Sequence, residues 1–581
     1  MKEYFIGLNA SYHDPALAIV NHRGDVVYAE ATERLLQYKR ALNCEADNLA
    51  SLPALLHRYC PDAGRIIVAS NWQTQRPWYE RLAAGIGLLQ PAGLQRLGLK
   101  RLRSPLTNIE IHHMMACNRH AFQRAGLNLA RLVPKLLSDC RVEFRAFPHH
   151  DTHAAVACRG SGFSQAACAV VDSYGERGSA AFYRWRDGRL ERIHEARGLG
   201  SLGLLYMKLT ELCGFDWMQG EEWKVMGLAA LGQVDEEVLA ILRRLLTVDG
   251  LSLVHPEHSA ITALTDLAAF RRRPGDPAEN AANLACTGQH FFSEIMVQLL
   301  GELHQRSGME QLCLAGGCAL NSAFNGTIPK RTGFRRFYIP PAPADDGCAL
   351  GAAWLAWAED EGELRPTTVE LSPYLGSSFE EASLRRMESF GGGLLIRKPG
   401  ADLFLETASL LANGKLIGWV QGRAEFGPRA LGNRSILADP RRPELPDRLN
   451  ALAKFRESFR PFAPAILHEF GPDFFQDYRD TPYMECTLDF RPELAGRVPA
   501  VAHRDGSGRL QSVTADRNPR FHALLTEFHR LTGIPLLLNT SFNVMGKPMV
   551  HSVEDAAGLF LTSGLDALVI DQTMFIKPAS P

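Results

Sequence analysis

Two stretches of this chain carry residue types at spacings that can do chemistry. The first is Pro148-His149-His150-Asp151-Thr152-His153. It follows a strand-like run, Val142 to Phe147, and a proline suits the first turn of a helix. His149 and His153 then stand four positions apart on one helical face. Two imidazoles at that spacing can grip one metal ion, whereas His150 points elsewhere and reads as structural. Such pairs also arise by chance, so acids elsewhere matter. Asp172 ends a buried apolar run, Val170-Val171-Asp172. Asp345 and Asp346 precede a small-residue helix, Cys348-Ala349-Leu350-Gly351-Ala352-Ala353, where either is equally a helix N-cap. Two histidines and two carboxylates suit a divalent ion of intermediate softness, iron(II) or zinc, and spacing does not choose between them.

The second stretch is Gly422-Arg423-Ala424-Glu425-Phe426-Gly427-Pro428-Arg429-Ala430-Leu431-Gly432-Asn433-Arg434-Ser435. Its proline and glycines shape a loop bearing Arg423, Arg429 and Arg434. Lys454, Arg456 and Arg460 follow, interleaved with Phe455, Phe459 and Phe462. Further on, Leu538-Asn539-Thr540-Ser541-Phe542-Asn543 ends a strand with small polar side chains. Arginine forks with Asn539, Thr540, Ser541 and Asn543 suit phosphate or carbamate oxygens. The bland alternative is scattered surface ion pairs, and the interleaved aromatics favour a walled pocket instead. Two weaker signals also point to a nucleotide. Gly316 and Gly317 sit between a short strand, Leu312 to Leu314, and a helix reaching Asn321, where backbone amides can approach phosphate. Lys224 is a cation in a glycine-bounded segment, although a surface lysine fits it as well.

These residues need a scaffold. A strand, Tyr4 to Leu8, a polar turn, Asn9 to Asp14, and a hairpin, Ala16–Val20 with Val26–Glu30, open the chain. The pattern returns about 150–160 residues later as Ala166–Val171, Asp172–Gly178, and a hairpin of Ala180–Trp185 with Leu190–Ile193. Duplication on that scale reads as two similar subdomains facing one cleft rather than a short-repeat solenoid. That is the layout of the actin-like ATPase fold. Residues 76–105 read as an amphipathic helical excursion, and 232–285 as a charged helical insertion. An acidic, Pro- and Gly-containing stretch within 358–380 reads as a linker. Strands at 415–420, 434–438 and 535–538 follow. The expected domains are therefore 1–360 and 381–581, joined by 361–380.

Bulk properties narrow the function. A chain of 581 residues serves roughly two to four cores. Its 63 Lys+Arg against 64 Asp+Glu lack the basic excess of a polyanion binder, so no nucleic-acid partner is expected. None of the 12 cysteines forms a Cys-x-x-Cys pair, which disfavours a thiolate zinc finger. Free buried cysteines fit a reducing compartment. No signal peptide is evident, and no run approaches the ~20 apolar residues of a membrane span. A cytoplasmic monomer or homodimer with no membrane partner is expected.

At this point the motifs match a family. His149-His150-x-x-His153-Ala154, Gly316-Gly317-x-Ala319-Leu320-Asn321, Gly427-Pro428-Arg429-Ala430-Leu431-Gly432-Asn433-Arg434-Ser435 and Leu538-Asn539-Thr540-Ser541-Phe542-Asn543 together resemble the O-carbamoyltransferases of antibiotic and nodulation-factor biosynthesis, of the tobramycin and cephamycin type. The resemblance spans nearly the whole chain. It implies an α/β protein: a duplicated actin-like (ASKHA) N-terminal domain followed by a YrdC-like α/β C-terminal domain. It implies that the second domain forms carbamoyl-adenylate from carbamoyl phosphate and ATP, with Mg2+ an option beside the nucleotide. The first domain would then pass the carbamoyl group to a hydroxyl of a small-molecule acceptor near iron(II). By motif, His149, His153, Asp172 and Asp345 take the metal-ligand roles. His13 takes the role of a catalytic histidine that assists deprotonation of the acceptor, with Asp14 beside it. Arg429 and Lys454 are the expected catalytic cations of the second domain. Lys224, Gly316, Gly317, Asn321, Arg423, Arg434, Arg456, Arg460 and the 539–543 polar groups are the expected nucleotide and carbamoyl-phosphate contacts. Ala344 and Ser173 stand where the family usually has glycine. Ala229-Ala230-Leu231-Gly232 replaces its Ala-Pro-Tyr-Gly, so the acceptor is not named by resemblance.

Three other readings compete. tRNA threonylcarbamoylation uses related domains, but the neutral charge disfavours it. Hydrogenase-maturation carbamoyltransferases carry an acylphosphatase domain and Cys-x-x-Cys fingers ahead of these domains, and neither is found in this sequence. A non-catalytic actin-fold nucleotide-binding protein would not need the dense His/Asp set.

Overall fold

The structure, a computed structural model, describes residues 2–73, 117–118, 120–256, 260–455, 457 and 460–578. The excursion expected at 76–105 lies outside the described residues. The chain forms two compact units. The first is Met1–Thr32, Arg40–Leu320 and Ile328–Leu371; the second is Glu33–Lys39, Asn321–Thr327 and Ser372–Pro581. The long break, between Leu371 and Ser372, lies within 361–380.

In the first unit, β1 (Lys2–Asn9), β2 (Ala16–Asn21), β3 (Val26–Ala31), β4 (Ala63–Ser70) and β5 (Arg141–Ala146) form one sheet in the order β3-β2-β1-β4-β5. β1, β2 and β3 pair antiparallel, whereas β4 and β5 add in parallel. A second sheet repeats this plan. It contains β6 (Gln165–Val171), β7 (Gly178–Arg186) and β8 (Arg189–Arg197), and, beyond a small hairpin of β9 (Thr247–Asp249) and β10 (Ser252–Val254), β11 (Gln311–Ala315) and β12 (Arg336–Tyr338). Its order is β8-β7-β6-β11-β12, again with three antiparallel strands and two parallel additions. Two copies of one strand order, each with a meander on one side and crossovers on the other, make the first unit the duplicated actin-like fold.

β1 and β6 are the central strands of their sheets. Their residues are buried on both faces, which explains continuous apolar runs where alternation would mark a half-exposed strand. The helix Gly347–Glu361 is rich in alanine and glycine, and ten of its residues are buried. Small side chains let it approach other backbone closely: a Cβ on Gly351 would lie 1.9 Å from Thr152 O, on the helix His149–Gly160. The 232–285 region forms helices Glu236–Leu245 and Ala260–Ala268 around the β9–β10 hairpin. Asp235 caps the first of these helices, accepting from the N–H groups of Glu237 and Val238.

The second unit is α/β. Its sheet contains β13 (Leu395–Arg397), β14 (Ile417–Val420), β15 (Arg434–Ala438), β16 (Ala463–Leu467), β17 (Cys486–Asp489), β18 (Ser507–Val513), β19 (Leu536–Ser541), β20 (Ala567–Ile570) and β21 (Thr573–Ile576). The nine strands run in the order β13-β21-β20-β14-β15-β19-β16-β18-β17. β14–β20 and β16–β18 pair in parallel and the other neighbours antiparallel. Among the described residues no helix is long and apolar enough to cross a membrane.

Candidate metal centre and cationic loop

In the first unit, each sheet sends its central strand toward the same cluster. The helix starting at His149 presents His149 and His153 on one face. β6 delivers Asp172 at its C-terminal end, and the turn before Gly347 delivers Asp345. His149 Nε2 lies 3.2 Å from Asp172 Oδ2 and 3.7 Å from Asp345 Oδ1. His153 Nε2 lies 3.5 and 3.6 Å from the same atoms, and 3.2 Å from His149 Nε2. All four residues are buried. Ligands bound to a zinc-like ion at about 2.1 Å stand about 3.0–3.6 Å apart, so this spacing fits one ion.

The charges call for a cation as well. Burial pushes Asp172 up, yet the two imidazoles outweigh it and hold the carboxyl well below the usual range. Burial opposes protonation of both histidines, yet Cys348, Asp345 and Asp172 outweigh it and push both well above an ordinary imidazole. Four buried donors that together demand positive charge fit a divalent ion. The surrounding shell is ordered. Ser173 N and Gly317 N donate to Asp172 Oδ1 at 2.7 and 3.2 Å. The Asn71 amide lies 3.2 Å from His149 Nδ1, which orients the ring and leaves Nε2 toward the carboxylates. Glu176 accepts from His149 N at 3.0 Å and so satisfies an otherwise orphaned donor of the first helical turn. His150 is buried and pulled down to about 3 by that burial, consistent with a structural, neutral ring.

Beside the cluster lies an acid–base pair. His13 Nδ1 is 2.9 Å from Asp14 Oδ2 and 3.8 Å from Asp345 Oδ2. Ser11 Oγ is 3.0 Å from Asp345 Oδ2. Arg40 forks Asp14, with Nε 3.2 Å from Oδ1 and Nη2 2.8 Å from Oδ2. Burial raises the Asp14 carboxyl, but Arg40 and His13 outweigh it and leave it far below the usual range. Asp14 therefore stays ionised and accepts a hydrogen bond from His13 Nδ1–H, which places the free lone pair of a neutral ring on Nε2.

Three groups expected at the nucleotide have partners within the protein. Both amides of the Gly316-Gly317 turn donate to acceptors within the protein. Gly316 N donates to Pro343 O at 2.8 Å and Gly317 N to Asp172. The turn opens only a short 3-10 segment, Gly317–Leu320, and φ of +90° at Gly316, with a Cβ there 2.3 Å from Val171 O, requires the glycine. The glycines thus serve the carboxylate. Lys224 is buried, with Nζ 2.6 Å from Glu221 Oε1 and over the Phe215 ring. Asn321 belongs to the second unit and caps the short helix Ser322–Asn325, accepting from Phe324 N.

In the second unit the cationic loop is tied down from within. Glu425 is buried, and its Oε1 accepts from Leu431 N, Asn433 N and Arg434 N at 2.7, 2.9 and 3.1 Å. Arg434 is fully buried and donates to the carbonyls of Gln421, Asn433, Ser377 and Gly422. Arg423 donates to the carbonyls of Gly376 and Leu375. Lys454 Nζ holds Ser541 O at 2.6 Å and Asn543 Oδ1 at 2.6 Å. These three cations, expected at a ligand, hold backbone carbonyls and, for Lys454, side-chain oxygens of Ser541 and Asn543. Asn539 donates to Ala430 O and Gln511 Oε1, and its own buried Oδ1 has no partner among the described residues. Ser541 Oγ donates to Asn543 Oδ1, and Thr540 lies on β19 opposite Ile436. Arg460 lies 3.4 Å from Glu457, and Arg456 lies outside the described residues. Arg429 differs from all of them. It is partly buried, makes no hydrogen bond or ion pair among the described residues, and burial pulls its guanidinium down to about 10.

Sequence reasoning missed Arg40, Asn71, Glu176 and Glu425. Glu176 lay inside the Asp172–Gly178 turn and Glu425 inside the arginine loop, both already singled out, and an acid among three arginines marks a loop that needs an internal acceptor.

Comparison with known proteins adds an independent finding. Residues 115–354 match the family model described as carbamoyltransferase N-terminus, and residues 408–577 the one described as carbamoyltransferase C-terminus. The nodulation protein NolO of Bradyrhizobium diazoefficiens is 37% identical over 74% of this chain and 79% of its own length. Nodulation protein U of Rhizobium tropici is 33% identical over 76% of this chain and 77% of its own. The Synechocystis protein sll1178 is 32% identical over 100% of this chain and 97% of its own.

Proposed function

The chain belongs to the carbamoyltransferase family, a family of carbamoyl-transferring enzymes, and from that premise we propose that it is an ATP-dependent O-carbamoyltransferase acting on a hydroxyl of a small molecule. The observation that carries the reading is the His149–His153–Asp172–Asp345 cluster with the His13–Asp14 pair against it. A transfer to oxygen needs an electrophile held in place and a base for the incoming hydroxyl, and these two groups supply both.

Carbamate is a poor electrophile because its nitrogen donates into the carbonyl. In the proposed sequence, carbamoyl phosphate and water give carbamate and phosphate. The carbamate oxygen then displaces pyrophosphate from ATP, giving carbamoyl-adenylate. The acceptor hydroxyl attacks the carbonyl carbon, the C–O bond to AMP breaks, and a carbamate ester leaves with AMP. The second unit takes the adenylation: Arg429 is a cation with no hydrogen-bond or ion-pair partner among the described residues, on a loop braced by Glu425 and Arg434, and it suits the growing charge on phosphate. The first unit takes the transfer. His149, His153, Asp172 and Asp345 would hold the metal, for which iron(II) is proposed with zinc as the alternative. When bound, that ion acts as a Lewis acid toward phosphate or carbonyl oxygen. His13 accepts the acceptor proton at Nε2, and Asp14, fixed by Arg40, holds the ring in the tautomer that allows this.

Pyrophosphate release from iron-loaded protein given ATP and carbamoyl phosphate tests the first half. Release that requires carbamoyl phosphate and falls by about a hundredfold or more in Arg429→Ala is expected. Release independent of carbamoyl phosphate, or unchanged in the variant, would sink the assignment.

A further inference from the structure

The reading above uses the Nε2 edges of His149 and His153 and leaves a neighbouring buried donor unassigned. Cys348 is the second residue of the helix Gly347–Glu361 and is fully buried. Its Sγ lies 4.0 Å from His149 Nδ1. His149, His153 and Cys348 each offer one ligand atom, all within 4.8 Å of one another. His153 also keeps a buried Nδ1 with no hydrogen-bond partner among the described residues. Among the described residues, no other thiol joins such a set: Cys158, Cys168 and Cys313 are buried as well, but beside one another.

We propose that His149, His153 and Cys348 form a second donor set that takes a thiophilic ion such as Zn2+, Cd2+ or Cu+. This rests on reading His149, His153, Asp172 and Asp345 as a metal centre. The two sets share both imidazoles, so their occupancies exclude each other. Their remaining donors differ in kind: two carboxylates favour a harder divalent ion, one thiolate a softer one. The protein therefore selects by which ion is available, and a thiophilic ion displaces the other. Binding replaces the S–H bond by a sulfur–metal bond and releases the proton to solvent, with no change of oxidation state.

The test is a Cd2+ titration of metal-free, full-length protein, following the thiolate-to-cadmium charge-transfer absorbance. Wild type is expected to show the band, saturating at one equivalent. Asp172→Asn is expected to keep it. Cys348→Ser, nearly isosteric, is expected to lose it and to bind Cd2+ at least about tenfold more weakly, the low end for losing a group that supports a metal. A band of unchanged size in Cys348→Ser assigns the sulfur to another cysteine and overturns the proposal, as does the absence of a band in wild type. Iron(II) bound per chain is measured in parallel. A cadmium band without iron binding in wild type supports the thiolate set and removes the four-group reading instead.

Discussion

Asp14 does its work through His13. Its carboxylate sits 2.9 Å from His13 Nδ1 and under the Arg40 fork, so Asp14→Asn should disturb the tautomer that leaves Nε2 basic. Carbamoyl transfer is expected to fall about a hundredfold or more in that variant, and similarly in His13→Ala, while pyrophosphate release continues; equal loss of both would contradict the division of roles. The same ion pair sets a pH dependence. Arg40 and His13 hold Asp14 below its ordinary value against the effect of burial, so the unfolded chain binds that proton more readily than the folded one. Its contribution is therefore fully present above about pH 4 and is lost as pH falls further. Unfolding midpoints of wild type and Asp14→Asn should differ near neutrality and converge on acidification; a gap constant with pH would contradict this. The sequence showed His149 and His153 because one helical period links them. It hid Arg40, whose bond to Asp14 depends on left-handed backbone at both residues, φ +58° and +55°. Cys348 was visible but read as filler in a small-residue helix.

Elements bring the four ligand groups together, and one of the close approaches is between helices. Gly351→Ala would place a carbon 1.9 Å from Thr152 O and push the helix Gly347–Glu361 off the helix His149–Gly160. A loss of at least about 1–3 kcal/mol and weaker metal binding are expected, read by thermal unfolding and metal content. Gly301→Ala is the control, since among the described residues nothing outside its own helix backbone lies within 4 Å of its Cβ; it should be neutral or stabilise its helix by up to about 1 kcal/mol. In the second unit, Glu425→Ala would strip the acceptor from three buried N–H groups, each worth about 1–3 kcal/mol when left unsatisfied. Lower stability and lost pyrophosphate release are expected together. The strands around both sites were legible from apolar runs and turn residues. The role of the Gly316-Gly317 turn was not, because Gly317 donates to Asp172, a partner far along the chain that no local pattern reveals. For the same reason the acceptors of Arg423, Arg434 and Lys454 were not legible: backbone carbonyls and, for Lys454, the Ser541 and Asn543 side chains are brought near only by folding.

The whole molecule pairs a duplicated unit with a nine-stranded one. The duplication was readable because each copy repeats strand, polar turn and hairpin in order. The strand order of the second unit was not, since neighbours such as β15 and β19 are separated by three other strands in the chain. On the proposed function the two units carry separable half-reactions, with Arg429 in one and the His/Asp cluster in the other. The most direct test supplies metal-loaded wild type and His153→Ala with ATP and carbon-labelled carbamoyl phosphate, across a panel of small hydroxyl compounds, and counts label in carbamate ester against AMP. Wild type should form ester from at least one acceptor with one AMP per ester, and His153→Ala should form none while still releasing pyrophosphate. Ester formed at the wild-type rate by His153→Ala lacking metal would contradict the account.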